Sequence, residues 1–168
     1  ICTPHITLNE DFFCVLAATK WPDDAGWLAP DILTTQPNCH ERPYSMHRPT
    51  RRAFHFWHLL YSHHIIYMRL EKWLRLLDRM KPKHTKQRAV FSGHRSLMIL
   101  SGKFLAKNPY QKFPTFLYGE ELFWAELVRL EKMKTYYCPS LLATHKEQMT
   151  TGTRNYQWYC RQKGKSLH

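Results

Sequence analysis

A mixed α/β fold, with a few strands covered by helices, is what this 168-residue sequence predicts. Two observations carry that expectation. Residues 53–80 place Phe56, Leu59, Leu60, Ile66, Leu70, Trp73, Leu74 and Leu77 at spacings of three and four, the period of an amphipathic helix. Residues 27–33 (WLAPDIL) and 135–144 (TYYCPSLLAT) are apolar or β-prone instead, as strands are.

The elements follow in order. Residues 9–20 (NEDFFCVLAATK) predict a helix, with Asn9 as its cap, Glu10 and Asp11 at the positive end of its dipole, and Trp21-Pro22 as its stop. Asp23 to Gly26 reads as a turn into the strand at 27–33. The stretch 34–52 is rich in Pro, Asn, His and Arg and reads as an exposed loop. The long periodic segment is one helix, or two joined near Ser62-His63-His64. A basic linker broken by Pro82 follows it. Residues 89–101 (AVFSGHRSLMILS) read as strand, loop and strand around Gly93, and 113–118 as an aromatic loop ended by Gly119. The spacing of residues 120–132 predicts a helix with Leu122, Trp124 or Ala125, Leu127 and Leu130 facing inward. Pro139 makes 135–144 an edge strand or a bend. A short helix over 154–161 closes the series.

Composition bounds the function. Lys and Arg number 25 against 13 Asp and Glu, with 11 His besides. That excess concentrates anions near the surface, whether nucleic acid, acidic lipid headgroups or phosphorylated substrates, without choosing among them. Five scattered cysteines with no CxxC pair speak against a disulfide framework or a zinc knuckle, so buried free thiols in a reducing compartment are expected. No run of about 18 apolar residues is present to span a bilayer. The chain opens on Ile1, which reads as a beginning partway through a larger protein.

The chemistry concentrates in residues 113–152, FPTFLYGEELFWAELVRLEKMKTYYCPSLLATHKEQMTTG. A glycine turn delivers Glu120 and Glu121 to the start of a helix, and a β-prone segment then ends in His145. Successive helical side chains point about 100° apart, so two adjacent carboxylates take different tasks. One can face a reaction while its neighbour pairs with a cation or a backbone donor. The plain alternative is a solvated helix start, and for His145 an inert histidine at a strand end.

With these residues in view, the stretch resembles the C-terminal half of family 2 inverting glycosyltransferases, in particular the capsular-polysaccharide and rhamnosyltransferase-like group. The matching pieces are Phe116-Leu117-Tyr118-Gly119-Glu120-Glu121, Tyr137-Cys138-Pro139, Ala143-Thr144-His145 and Thr150-Thr151. Upstream, Ser92-Gly93-His94-Arg95-Ser96-Leu97-Met98-Ile99 is similar to a Gly-His-Gly-Ser strand of the group, and residues 9–32 to the helix and strand behind its metal motif.

The resemblance implies a single partial domain over 1–168: the acceptor-side portion of a GT-A-like α/β/α sandwich with a mixed sheet, its nucleotide-binding half absent. Residues 54–80 form a basic helical segment and 89–152 the catalytic core. Glu121 would be the general base that deprotonates an acceptor hydroxyl, with Glu120 orienting it or contacting the acceptor. Gly93, His94, Arg95, Ser96, Tyr118 and Gly119 would contact the acceptor. His145 and His5 would hold a divalent metal, Mn2+ or Mg2+, or the donor diphosphate. Partners would be a nucleotide-sugar donor and a saccharide or lipid-linked acceptor, in the cytoplasm or at the inner face of the cell membrane.

Two departures stand out: His5 replaces the carboxylate of the metal motif, although those ions prefer oxygen ligands, and Arg95 replaces a glycine. A truncated or inactive remnant is a second expectation. A basic nucleic-acid module is a third, with charge alone behind it and no RRM, KH, zinc-finger or helix-turn-helix signature. For residues 51–86 two readings stand: a helix lying on a membrane surface, or one packed with its aromatics in the core and its charges solvated.

Overall fold

The computed structural model describes residues 2–3, 5–34, 40–41, 45–79, 85–109, 118–145 and 156–166. Along the chain run β1 (Ile6–Leu8), α1 (Phe12–Ala18), β2 (Ala25–Thr34), β3 (His40–Glu41), α2 (Arg51–Ser62) and α3 (His64–Arg79). Then come β4 (Arg88–Val90), β5 (Ile99–Leu100), α4 (Gly102–Lys107), α5 (Glu120–Leu130), β6 (Lys134–His145) and α6 (Tyr156–Lys165). These elements fall into two compact units. One holds all six strands with α1, α4 and α5; the other holds α2, α3 and α6.

In the sheet unit, β2 and β6 run parallel at the centre, and the remaining pairings are antiparallel. β1 and β4 pair with β6, while β3 and β5 pair with β2. The strand β2 reads AGWLAPDILT, an almost unbroken apolar run, as a strand covered on both faces requires. Alternate side chains divide between two cores. Leu28 and Ile32 join Phe12, Leu97, Cys138, Leu141 and Ala143, under α1. Trp27 and Ala29 join Met98, Phe104, Ala125 and Val128, under α4 and α5. The mixed α/β class expected from the sequence is therefore present.

Pro139 does not mark an edge, because β6 has partners on both sides. Instead the register breaks there: Pro30 pairs with Cys138, and the next residue, Asp31, pairs with Leu142. The bend that a proline imposes is absorbed as an irregularity in a central strand. The first helix starts later than expected, at Phe12, with Asp11 rather than Asn9 in the cap position and no side-chain cap bond. Farther along α5, the Glu126 carboxylate accepts paired hydrogen bonds from Arg129 and from Arg48. Those guanidiniums, Arg129 first, hold its carboxyl down to about 2.

The helical unit confirms the break in the long periodic segment, since α2 ends at Ser62 and α3 begins at His64. Thr50 caps α2 by accepting the Ala53 N–H at 3.2 Å. Its core is small: Leu60, Tyr67 and Cys160, with Trp57, Tyr61, Leu70 and Tyr159 packed around them. Phe56, Leu59, Ile66 and Trp73, expected on the packed stripe, are exposed instead. The segment 34–52 is only partly loop, since it includes the end of β2, β3 and the start of α2. The α4 helix after Ser101 was not expected at all. Cys138 and Cys160 are buried free thiols, whereas Cys2 and Cys14 are exposed ones. Among the described residues no helix is long and apolar enough to cross a membrane.

Candidate functional site

The loop between β4 and β5 lies directly on the central strand. A Cβ added to Gly93 would sit 2.4 Å from the Ala29 Cβ and 2.9 Å from the Trp27 ring, so no side chain fits there. This close approach sets where His94, Arg95 and Ser96 stand. Ser92 and Ser96 are fully buried on either side of Gly93, His94 and Arg95. The Ser96 carbonyl accepts the Thr3 N–H at 2.9 Å, which ties the loop to the segment leading into β1.

His94 is the ordered centre of that loop. Its Nδ1 accepts the Ser96 N–H at 3.3 Å and lies 2.6 Å from Ser96 Oγ, which donates to it. The ring proton therefore sits on Nε2. Burial pushes the imidazole down to about 3, with His145 and Arg95 nearby adding to the shift. At neutral pH the ring is uncharged. Its centroid is 5.9 Å from that of His145, with the planes tilted by 55°.

Glu120 and Glu121 open α5, where acidic residues are favoured by the exposed N–H groups of the first turn. The two then part company. Glu120 is half-buried and accepts from Arg95 Nη1 at 3.4 Å. Glu121 is 4% exposed and shares the buried stripe of the helix with Ala125 and Val128. Of the residues expected inward, Ala125 is buried and Trp124 and Leu127 pack half-buried against the same core, whereas Leu122 is only half-buried and Leu130 is exposed. The 100° step between neighbours sends one carboxylate to a cation and the other into the protein.

The remaining expected residues are placed as follows. His145 ends β6 directly opposite Ile6, which puts His5 next to its strand partner. Tyr118 and Gly119 belong to the helical unit, with φ of 59° and 87° respectively. The left-handed backbone at a tyrosine is strained and is sustained by its surroundings. Tyr118 is buried edge-on to Tyr159 at 5.4 Å. The residues 110–117 and 146–155, which include part of the glycosyltransferase-like pattern, lie outside the described residues.

Among the described residues the donor set does not suit Mn2+ or Mg2+. Among the described residues no group of three or more His, Cys, Asp or Glu gathers to hold one. The hard cations prefer carboxylate and carbonyl oxygens, whereas His94 and His145 offer imidazole, with His94 Nδ1 already engaged. No metal step is drawn from this site.

Two features escape a sequence reading. Asp31 is a buried carboxylate in the middle of β2, and its one signal was a lone acid inside an apolar run. In the helical unit, the Lys163 ammonium lies over four tyrosine rings: 4.4 Å from Tyr159, 5.6 Å from Tyr61, 5.7 Å from Tyr118 and 5.9 Å from Tyr67. Those residues are spread over a hundred positions, so no local pattern announces them. The same unit has an open cleft of ≈ 500 Å³ lined by His58, Tyr61, His64, Cys160, Arg161 and Lys165 among others.

Comparison with protein-family models, with curated proteins and with solved structures gave no match.

Proposed function

We propose that the sheet unit is the acceptor side of a nucleotide-sugar-dependent inverting glycosyltransferase, with Glu121 as the base. One observation carries the proposal: two adjacent carboxylates at the first turn of α5 are separated in role, one tied to Arg95 and the other withdrawn from water. An acceptor hydroxyl is a weak nucleophile at neutral pH. A positioned carboxylate accepts its proton as the new bond to the anomeric carbon forms and the bond from that carbon to the donor diphosphate breaks, the nucleoside diphosphate leaving with the electron pair. Glu120 and Arg95 orient the neighbouring backbone. His94, neutral with its proton on Nε2, offers a hydrogen-bond donor beside His145 without adding charge. The saccharide or lipid-linked acceptor is bound by the loop that carries His94, Arg95 and Ser96.

The test is transfer by the full-length protein across a panel of nucleotide-sugars and saccharide acceptors, read as release of nucleoside diphosphate. Glu121→Gln is expected to lower turnover about a hundredfold or more, the usual span of a lost general base, and to leave the melting temperature nearly unchanged. Glu120→Gln is expected to act more weakly, through loss of the Arg95 pair. Turnover by Glu121→Gln equal to the parent would remove the base assignment. No nucleoside diphosphate release from any donor would remove the transferase reading.

A further inference from the structure

We propose that the outer face of α2 and α3 docks the protein on an anionic lipid bilayer. Six large apolar side chains on these helices face water: Phe56, Leu59, Ile65, Ile66, Met68 and Trp73, the last 69% exposed. Such a concentration is not what scattered surface hydrophobes give. At about 100° per residue, Ile65, Ile66, Arg69 and Trp73 fall within an arc of roughly 100° on α3, and Arg52, Phe56 and Leu59 within an arc of roughly 60° on α2. The opposite faces are already in use, because Trp57 and Tyr61 of α2 and Tyr67 of α3 pack in the core around Cys160 of α6. The exposed stripes are therefore a second apolar surface, held by a packed one behind it.

Charge selects the occupant. Residues 51–79 carry six Lys and Arg against two Asp and Glu, and α2 has no acid at all. Arg51, Arg52 and Arg69 are exposed beside the apolar side chains, and Glu71, half-buried, accepts from the Tyr67 hydroxyl at 3.5 Å. A second copy of the same face would set cation against cation. A nucleic acid answers the charge but leaves Ile65, Ile66 and Leu59 in water, since bases stack on aromatic rings rather than bury aliphatic ones. Acidic headgroups with acyl chains beneath satisfy both. Aliphatic and aromatic groups enter the headgroup boundary, and the guanidiniums meet phosphate. Neither helix, of 12 and 16 residues, is long enough to span, so the contact lies in the surface plane.

This inference does not rest on the proposed glycosyl transfer, and its test needs no turnover. The full chain is sedimented with vesicles of phosphatidylcholine alone and of phosphatidylcholine mixed with phosphatidylglycerol. Binding is expected to the mixed vesicles and to be about tenfold or more weaker to the neutral ones. A double variant, Ile66→Ser with Trp73→Ser, is expected to lose about tenfold or more in binding while keeping its circular dichroism and melting temperature. Arg52→Glu with Arg69→Glu is expected to erase the preference for the anionic vesicles. Undiminished binding by the serine variant, or equal binding to both vesicles, would overturn the proposal. So would a dimer dissolved by the serine variant in a chain that ignores vesicles, which would assign the face to a second copy. So would RNA binding, lost in Arg52→Glu with Arg69→Glu, by a chain that ignores both vesicles, which would assign the face to nucleic acid.

Discussion

The two units use the same kinds of residue to opposite ends. In the sheet unit, Trp27, Leu28, Ala29 and Ile32 are all fully buried, because strands on either side and helices on both faces leave β2 no open side. In the helical unit, equally apolar Phe56, Leu59, Ile65 and Trp73 stay in water. Burial in the first is imposed by layers; in the second only one stripe of each helix finds a partner. The difference teaches that apolar content alone does not locate a core. It also divides the labour: the sheet unit buries Asp31, Ser92, Ser96 and Glu121, whereas the helical unit displays most of the exposed large apolar side chains.

Truncations in the two cores give the largest contrast. Phe104→Ala, at a fully buried ring under α4, is expected to cost about 3–5 kcal/mol. Leu60→Ala, in a core of three buried side chains, is expected to cost less, about 2 kcal/mol, since its surroundings can relax into the gap. Urea unfolding of both variants measures the pair. Equal losses would break the contrast between a layered core and a thin one.

Acid sharpens it next. His94 titrates near 3 when folded and near its ordinary 6.5 when unfolded, so the unfolded chain binds the extra proton between those values. Stability contributed by its neutral form is complete above 6.5 and declines as pH falls toward 3. Between pH 7 and 5, above the range in which the Glu126 carboxyl responds, the parent should lose more stability than His94→Gln. Denaturant midpoints at the two values report it, and identical slopes would show that the ring is not held neutral by its site.

The smallest expected effect lies in the helical unit. Lys163→Gln removes the cation from above Tyr61, Tyr67, Tyr118 and Tyr159 and is expected to cost about 1 kcal/mol. Lys163→Arg, which keeps the charge and brings a planar group that stacks on the rings, should recover most of it. A melting series of the three proteins decides whether the cage contributes through charge or merely through packing.

Much of the secondary structure was legible, and for local reasons. The break at His63, the strand around Trp27, the turn at Gly93 and the start of α5 after Gly119 all follow from neighbours within one or two turns of chain. The pairing of Glu120 with Arg95 was not legible, nor was the withdrawal of Glu121, because both depend on the rotation of α5 over β2. Apolar spacing put Leu122 and Leu130 on the inward face. The observed buried stripe is Glu121, Ala125 and Val128, of which Ala125 and Val128 pack with Trp27 and Ala29.

What the sequence determined by itself was periodicity: which segments coil, which extend, and where a glycine marks a turn. Only the tertiary structure decided that a strand interrupted by Pro139 lies at the centre of a sheet, that Lys163 is ringed by tyrosines, and that half of an amphipathic pair of helices remains uncovered. The physical reason is that dihedral preference and spacing act within a few residues. Burial depends on what a distant part of the chain brings to the same place, and no local pattern encodes the arrival of that partner.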